Sequence, residues 1–208
     1  MWIFSKLKGF HSIVVLAAVD SRSKFIFAEV GANGRISDGG IWLRSPFQRL
    51  FNHPSNPLNV PAGHALVGDP AFALAPNFLV PYSSSNLTRE QRIFNYRLSR
   101  LRFTAEDAFG QLQCKFRVLG TRLLWKLENA KTVTLACIIL FNLLKSSEPQ
   151  PTEPVPSLRN SGVTLVNLDI ANRSQQSASS IRDGLCQYFI GRGALSFQEN
   201  IFRVDRRM

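Results

Sequence analysis

One aspartate and one glutamate have the residue types and setting to do chemistry together. Asp69 ends the apolar part of the stretch "LVGDPAFAL", between a glycine and a proline. Glu106 lies on the polar face of a long helical pattern, with Arg102 one turn before it. An aspartate at a strand end and a glutamate on a later helix can hold Mg²⁺ for phosphoryl transfer, because this hard cation prefers oxygen ligands. A turn residue and a solvated helix surface explain the same spacing, so both interpretations stay open.

Other reaction classes find little support in the sequence. The three histidines have no metal-ligand spacing, and the chain contains no GxSxG, P-loop or HExxH motif. The three cysteines lie far apart without a CxxC pair, which indicates neither a zinc site nor a disulfide framework. Among the reaction classes considered, chemistry by carboxylates is therefore the one that the sequence motifs do not argue against.

The composition indicates a basic globular protein. The 208 residues carry a formal net charge of +11, which is typical of proteins that bind polyanions such as nucleic acid. With 45% apolar residues the chain can build one domain with a hydrophobic core. Its apolar run 12–19 is too short to cross a membrane, so we expect a soluble intracellular protein with no membrane contact.

Hydrophobic periodicity predicts the elements that must position the two acids. The runs 12–19 and 25–32 predict a hairpin, and the pattern from Asp38, a candidate N-cap, predicts one helix over 38–52. Short strands are expected at 64–69, where the strand ends on Asp69, and at 78–83.

The second half of the chain reads as helices and linkers. A long helix that carries Glu106 is predicted to begin at Thr88, which has capping-box spacing with Gln91. The nearly apolar stretch 128–145 predicts a helix buried against the sheet. We expect a domain at 1–146, a Pro/Ser-rich linker at 147–180, and a short helix with a mobile basic tail at 181–208.

Four stretches occur in a specific order along the chain. They are "KGFHSIVVLAAVDSRSKFIFAEVGANGRISDGGIWLRSPF", "VGDPAFAL", "EQRIFNYRLSRLRFTAEDAFGQLQCKFRVL" and "LACIILFNLL". As a set they resemble the DDE superfamily endonuclease domain of PIF/Harbinger-type transposases and their host-derived nuclease relatives. The stretch "IRDGLCQYFIGRGALSFQ" resembles a C-terminal segment of some of these proteins.

The resemblance implies an α/β, RNase H-like fold, with a mixed sheet flanked by helices that bring three acids around Mg²⁺ or Mn²⁺. Asp69 matches the second acid and Glu106 the third, at a separation typical of the family. Arg97, Arg100 and Arg102 match a basic helix of the family and are candidate nucleic-acid contacts, or simply a solvated face. DNA as substrate, a nuclear location and a separate DNA-binding partner protein are expected on the same ground.

The sequence also departs from the family pattern. The family's first acid belongs to an Asp-Gly-Thr strand upstream of "KGFHS", and only seven residues precede Lys8, so this central first strand is expected to be missing. Phe141 stands where the family commonly has histidine, and no helix-turn-helix region is found. Asp20 is a candidate substitute acid, whereas Asp38 fits an N-cap or a residue that supports the site.

Loss of a central strand would leave backbone hydrogen bonds unmet. We therefore expect that residues 1–7 partly fill its place, that the sheet splits into a hairpin and a short pair, or that the chain is a truncated gene product. Two functions remain open. One is a metal-dependent DNA endonuclease, inactive as given because the first aspartate is absent, and the other is a non-catalytic module that binds nucleic acid or protein.

Overall fold

The structure is a computed structural model that describes residues 2–4, 13–33, 38–51, 64–121, 125–148 and 177–200. It divides into two compact units. The first unit comprises residues 1–58 and 102–154, and the second comprises residues 59–101 and 155–208. One boundary between them falls inside the long helix α3, Arg89–Lys115, which therefore contributes residues to both units.

The first unit contains a three-stranded antiparallel sheet. Its strands β1 (Trp2–Phe4), β2 (Ile13–Val19) and β3 (Phe25–Asn33) lie in the order β1-β2-β3. The predicted hairpin of β2 and β3 is confirmed, because β-branched and aromatic residues dominate both runs. Residues 2–4 pair with the far edge of β2, from Trp2 opposite Ala17 to Phe4 opposite Val15.

The turn of this hairpin explains Asp20. Its Oδ1 accepts hydrogen bonds from the backbone N–H groups of Arg22 at 2.8 Å and Lys24 at 2.9 Å. Such side-chain caps are the usual reason for an aspartate at a turn. Asp20 therefore has a structural role that accounts for its strand-end position.

The predicted single helix over 38–52 is wrong, because two helices occupy this part of the chain. Helix α1 is Asp38–Arg44 and helix α2 is Pro46–Phe51. A proline has no N–H to continue a helix but fits the first position of a new one. Ser45 completes the junction, since its Oγ accepts from the N–H of Phe47 at 3.1 Å and donates to Glu29 Oε2 at 2.6 Å.

Helix α4, Leu127–Ser147, confirms the helix predicted at 128–145. It is tied to the start of β3 through Asn142, whose amide donates to the carbonyl of Phe25 at 2.7 Å and accepts from its N–H at 2.9 Å. The Phe25 ring packs edge-on against Phe109 and Phe141, with centroids 5.1 and 5.7 Å away. Phe141 is 2% exposed and is a core residue of the first unit.

The expectation that α4 is buried along its whole apolar stretch is only half right. Its inner face lies in the core of the first unit, but a second apolar face is exposed. By length and composition α4, at a mean hydropathy of 1.4, is the one described helix that could cross a membrane. Core helices of globular domains share these properties, and the inner face of α4 packs as such a helix does.

The second unit is built around the first part of α3. A capping box opens the helix as predicted: the N–H of Thr88 donates to Gln91 Oε1 at 3.1 Å, and the N–H of Gln91 donates to Thr88 Oγ1 at 3.3 Å. Strands β4 (Leu66–Val67) and β5 (Phe78–Leu79) form a separate parallel pair.

The predicted C-terminal helix is confirmed as α5, Ala178–Ile190, and it belongs to the core of the second unit. That core consists of buried residues from three parts of the chain, namely Leu79, Ile93, Phe94, Leu98, Ile181, Leu185, Cys186 and Phe189. The greater part of the predicted linker, 149–176, and the end of the predicted mobile tail, 201–208, lie outside the described residues.

The described elements make an α/β protein, as predicted. Their strands form a three-stranded sheet and a separate parallel pair, whereas one alternative from the sequence was a hairpin and a short pair. The short β4 and β5, with two residues each, give few hydrogen bonds with which to join a larger sheet. The RNase H-like arrangement itself stays a prediction.

Gly31 gives a direct test of the backbone conformation of β3. Its φ of 113° is favourable only for glycine, and an added Cβ would overlap the side chain of Lys131. We expect Gly31→Ala to lower the free energy of unfolding by about 1–3 kcal/mol. The matched control is Gly110→Ala in α3, where an added Cβ meets no atom within 4 Å and should raise stability by up to about 1 kcal/mol. Equal stabilities of the two variants in urea titrations would contradict this account.

Candidate metal and nucleic-acid site

Asp69 follows β4 in the second unit, close to the strand end that the sequence predicted. The N–H of Gly68 donates to the carbonyl of Leu79 at 2.9 Å, which fixes the backbone directly before the acid. Oδ1 of Asp69 accepts from the N–H of Ala71 at 3.0 Å, and its carbonyl accepts from Phe72 at 3.1 Å. These bonds are those of a turn-forming aspartate, and they also hold the carboxylate in one place.

Aromatic packing limits the backbone beside Asp69 further. A Cβ added at Gly68 would overlap the ring of Phe78 and lie 3.1 Å from that of Phe72. The two rings are themselves in contact, with centroids 5.5 Å apart. Gly68 therefore lets the backbone before Asp69 lie close to these aromatic rings, where a side chain would not fit.

Glu106 lies on α3 in the part that belongs to the first unit. Its side chain is 40% exposed, and Oε1 lies 3.8 Å from Nη2 of Arg102, the pair that helical spacing predicted. The adjacent acid, Asp107, is engaged differently, since its Oδ2 accepts from Nε2 of Gln111 at 2.6 Å. Of these two neighbouring acids, Glu106 is the one that pairs with an arginine. It is also the one that the resemblance gives as a candidate metal ligand.

The two candidate ligands lie in different units, so their convergence on one ion stays a prediction. Within the described ranges, no three His, Cys, Asp or Glu side chains group so that they could hold a metal. The chemistry of the two acids nevertheless fits Mg²⁺ or Mn²⁺, because both supply carboxylate oxygens. The hydrogen bond on Asp69 is compatible with ligation, since a carboxylate oxygen has more than one lone pair.

Arg97 is a buried residue and not a surface residue. Its side chain is buried in the second unit, with the residue 6% exposed, and Nη1 donates to the carbonyl of Gly193 at 3.2 Å and to Oε1 of Gln198 at 3.3 Å. The guanidinium lies over the ring of Phe189, 4.5 Å from its centroid. Burial lowers the pKa of Arg97. A nucleic-acid contact through this residue would require displacement of the C-terminal segment.

The other two candidate arginines are half-buried. Arg100 lies over the ring of Phe197, 4.9 Å from its centroid, and donates to the hydroxyl of Tyr96 at 3.1 Å. Arg102 faces Glu106. Both arginines stay candidates for phosphate contacts. This role is suggested by the sequence resemblance and not by their geometry.

A polar network on α5 was missed by the sequence analysis. The hydroxyl of Tyr82 donates to Oδ1 of Asp183 at 2.5 Å, and the guanidinium of Arg182 lies 3.9 Å from the centre of the Tyr82 ring. Burial, followed by this hydrogen bond, raises the pKa of Tyr82 above its usual range. The sequence indicated a short helix here, but nothing in the pattern indicated which residues it would contact.

The buried position of Arg97 can be tested by its effect on stability. We expect Arg97→Ala to lower the free energy of unfolding by about 2–4 kcal/mol, because buried acceptors lose their charged donor. Arg92→Ala, an exposed position on the same helix, is the control and should change stability by at most about 0.5 kcal/mol. Chemical denaturation followed by circular dichroism measures both. Similar small changes in the two variants would show that Arg97 does not anchor the C-terminal segment.

Comparison with known proteins gives a family for the chain. Residues 2–142 match the family described as DDE superfamily endonuclease. Protein ALP1-like from Arabidopsis thaliana is 23% identical over 193 residues, which cover 88% of this chain and 47% of that protein. The Arabidopsis thaliana protein named Antagonist of like heterochromatin protein 1 is 24% identical over 156 residues, or 70% of this chain and 39% of the relative.

No solved structure gives a significant match. The chain spans less than half the length of either curated relative. The family match nevertheless covers more than half of the chain and runs through both candidate metal ligands. The chain therefore belongs to the DDE superfamily endonucleases, as its four ordered sequence stretches predicted.

Proposed function

We propose that the chain is a transposase-derived, divalent-metal-dependent DNA endonuclease domain of RNase H-like fold, in which Asp69 and Glu106 are metal ligands. The family match over residues 2–142 carries this proposal, because both acids lie within it. The fixed turn at Asp69 and the exposed position of Glu106 support it. Mg²⁺ or Mn²⁺ is the cofactor that their oxygen donors fit.

The residues around the two acids have separate tasks in this proposal. Asp69 and Glu106 would hold the cation, which when bound would supply polarisation of the scissile phosphate and activation of the attacking oxygen. Asp69 is held ready by the N–H of Ala71, so it loses little side-chain freedom when it binds. Arg102 is placed beside Glu106, where its guanidinium can turn to a DNA phosphate and leave the carboxylate to the metal.

The family's first acid has no match within the 208 residues, and we propose that the chain alone therefore does not cleave DNA. Asp20 is a poor substitute. Its Oδ1 already accepts two backbone hydrogen bonds that close the hairpin turn, and moving the carboxylate would open that turn. An incomplete ligand set lowers both the affinity for the ion and its alignment with the phosphate.

A non-catalytic nucleic-acid-binding or protein-binding module is the second candidate. The net charge of +11 favours it, since this charge serves DNA binding whether or not the metal site is complete. One relative is named an antagonist of like heterochromatin protein 1. By analogy, a nuclear location and a chromatin-associated partner protein belong to this proposal.

The metal ligands can be tested separately from cleavage. We expect Asp69→Asn and Glu106→Gln each to weaken Mn²⁺ binding to the protein–DNA complex at least about 10-fold, because each removes a charged oxygen ligand. Electron paramagnetic resonance of free Mn²⁺, with the DNA alone as baseline, measures this binding. Asp107→Asn is the matched control, since Asp107 bonds to Gln111 instead.

Two results would contradict the assignment. One is unchanged Mn²⁺ binding in both single variants, and the other is an equal loss in Asp107→Asn.

DNA binding itself should be electrostatic and weakly sequence-specific. Each phosphate that a lysine or arginine neutralises contributes about −0.9 to the slope of log affinity against log salt, so affinity should fall steeply between low and physiological salt. Arg102→Gln should make that slope shallower by about one phosphate, if Arg102 contacts the backbone of the DNA. Fluorescence anisotropy with an unrelated pair of duplexes measures both effects. Binding that is insensitive to salt, or strongly selective for one duplex, would count against a basic phosphate-binding surface.

A further inference from the structure

One stripe of α3 in the second unit carries three arginines. Arg89, Arg97 and Arg100 follow one another at intervals of eight and three residues, which at 3.6 residues per turn places them within about 80° of one another around the helix axis. All three contact the same stretch of chain, residues 193–199, which follows α5 and which we call the strap. Because aligned basic side chains attract polyanions, the strap covers a surface suited to such a ligand.

The groups that the strap presents to the two outer arginines resemble those of a nucleic acid. The carboxylate of Glu199 pairs with the guanidinium of Arg89, as a phosphate would. The ring of Phe197 stacks with the guanidinium of Arg100, 4.9 Å from its centroid, as a nucleic-acid base can. A DNA strand could therefore replace these contacts one by one.

Arg97 and a buried glutamine give the strap a defined closed position. Nη1 of Arg97 donates to the carbonyl of Gly193 at 3.2 Å and to Oε1 of Gln198 at 3.3 Å. Gln198 is 2% exposed, and its Nε2 donates to the carbonyl of Phe189 at 3.0 Å. The middle of the strap is thus anchored to both α3 and α5.

The outer end of the strap is held less firmly. The side chains of Arg89 and Glu199 are 55% and 45% exposed, and ion pairs of this kind contribute little to stability. The backbone hydrogen bonds of the strap are local and run from Gly193 to Tyr188, from Ala194 to Gly191 and from Gln198 to Leu195. Local opening of such a segment costs less free energy than unfolding of the core.

We propose that residues 193–199 are an autoinhibitory strap, which covers Arg89, Arg97 and Arg100 when closed and lets DNA bind this stripe when open. The inference rests on the DNA binding in the proposed function but not on the metal ligands. Only the open fraction of the protein offers the stripe, so the dissociation constant for DNA is raised by the inverse of that fraction. Loosening the strap should therefore strengthen DNA binding.

Fluorescence anisotropy of the full 208-residue chain with a labelled DNA duplex tests the outer end of the strap. Glu199→Gln keeps the size of the side chain but removes its charge, and it should raise the affinity for DNA about 3–5-fold by loosening the pair with Arg89. Glu148→Gln is the matched control, because Glu148 is 53% exposed, pairs with Lys145 and carries the same charge. It should change the affinity by less than about 1.5-fold.

A second substitution tests the strap without a change of charge. A Cβ added at Gly193 would overlap the ring of Tyr188, so Gly193→Ala should push the start of the strap outward and raise the affinity for DNA at least about 5-fold. Gly184→Ala in α5 is its control, since an added Cβ there meets no atom within 4 Å, and should leave the affinity unchanged. Circular dichroism confirms that all four variants fold.

Hydrogen–deuterium exchange follows the strap itself. The amides of residues 193–199 should exchange faster in Glu199→Gln and Gly193→Ala than in the parent chain, because the strap opens more often. They should also exchange faster in the parent chain when the duplex is added. A segment that merely contacts DNA would exchange more slowly instead.

Four outcomes would overturn the proposal. The first is DNA binding that neither strap variant strengthens, which would make the strap purely structural and leave DNA binding in place. The second is slower exchange of the strap amides on addition of the duplex. The third is a gain in affinity for polyglutamate and none for DNA, which would assign the stripe to an acidic protein partner. The fourth is a lack of DNA binding in the parent chain and in both strap variants, which would overturn the proposed DNA binding as well.

Discussion

The apolar stripe of α3 supplies side chains to a hydrophobic core described in each of the two units. Ile93, Phe94 and Leu98 pack in the second unit, whereas Ala108, Phe109 and Leu112 pack in the first. Because this stripe is fixed on one side of the helix, the polar side that carries Glu106 is fixed as well. A residue that disturbs the stripe would therefore disturb the candidate site without touching it.

Two asparagines reinforce the packing of helices on extended chain. Asn142 brackets both backbone groups of Phe25 in the first unit, and Asn95 brackets those of Tyr82 in the second, at 2.8 and 2.9 Å. Such amides satisfy backbone groups that short or ending strands leave unpaired. Each of these asparagines therefore holds an extended segment against a helix.

The sequence was sufficient to predict elements that depend on neighbouring residues. It was not sufficient to predict contacts between residues far apart in the chain. The capping box at Thr88 and the alternation of the hairpin were sufficient for α3, β2 and β3. The break at Ser45 could have been predicted from Pro46, since the proline lacks an N–H. The burial of Arg97 could not, because its partners lie about a hundred residues further along the chain.

The candidate site shows the same division. The turn at Asp69 and the pairing of Glu106 with Arg102 follow from neighbours within four residues, and both were predictable. Whether these carboxylates meet on one ion depends on long-range packing. A crystal structure of the chain with DNA and Mn²⁺, located by its anomalous scattering, measures this directly. The account predicts one ion bound by oxygens of both Asp69 and Glu106 at roughly 2.0–2.2 Å. Carboxylates more than about 10 Å apart, too far to reach one ion by side-chain movement, would contradict it.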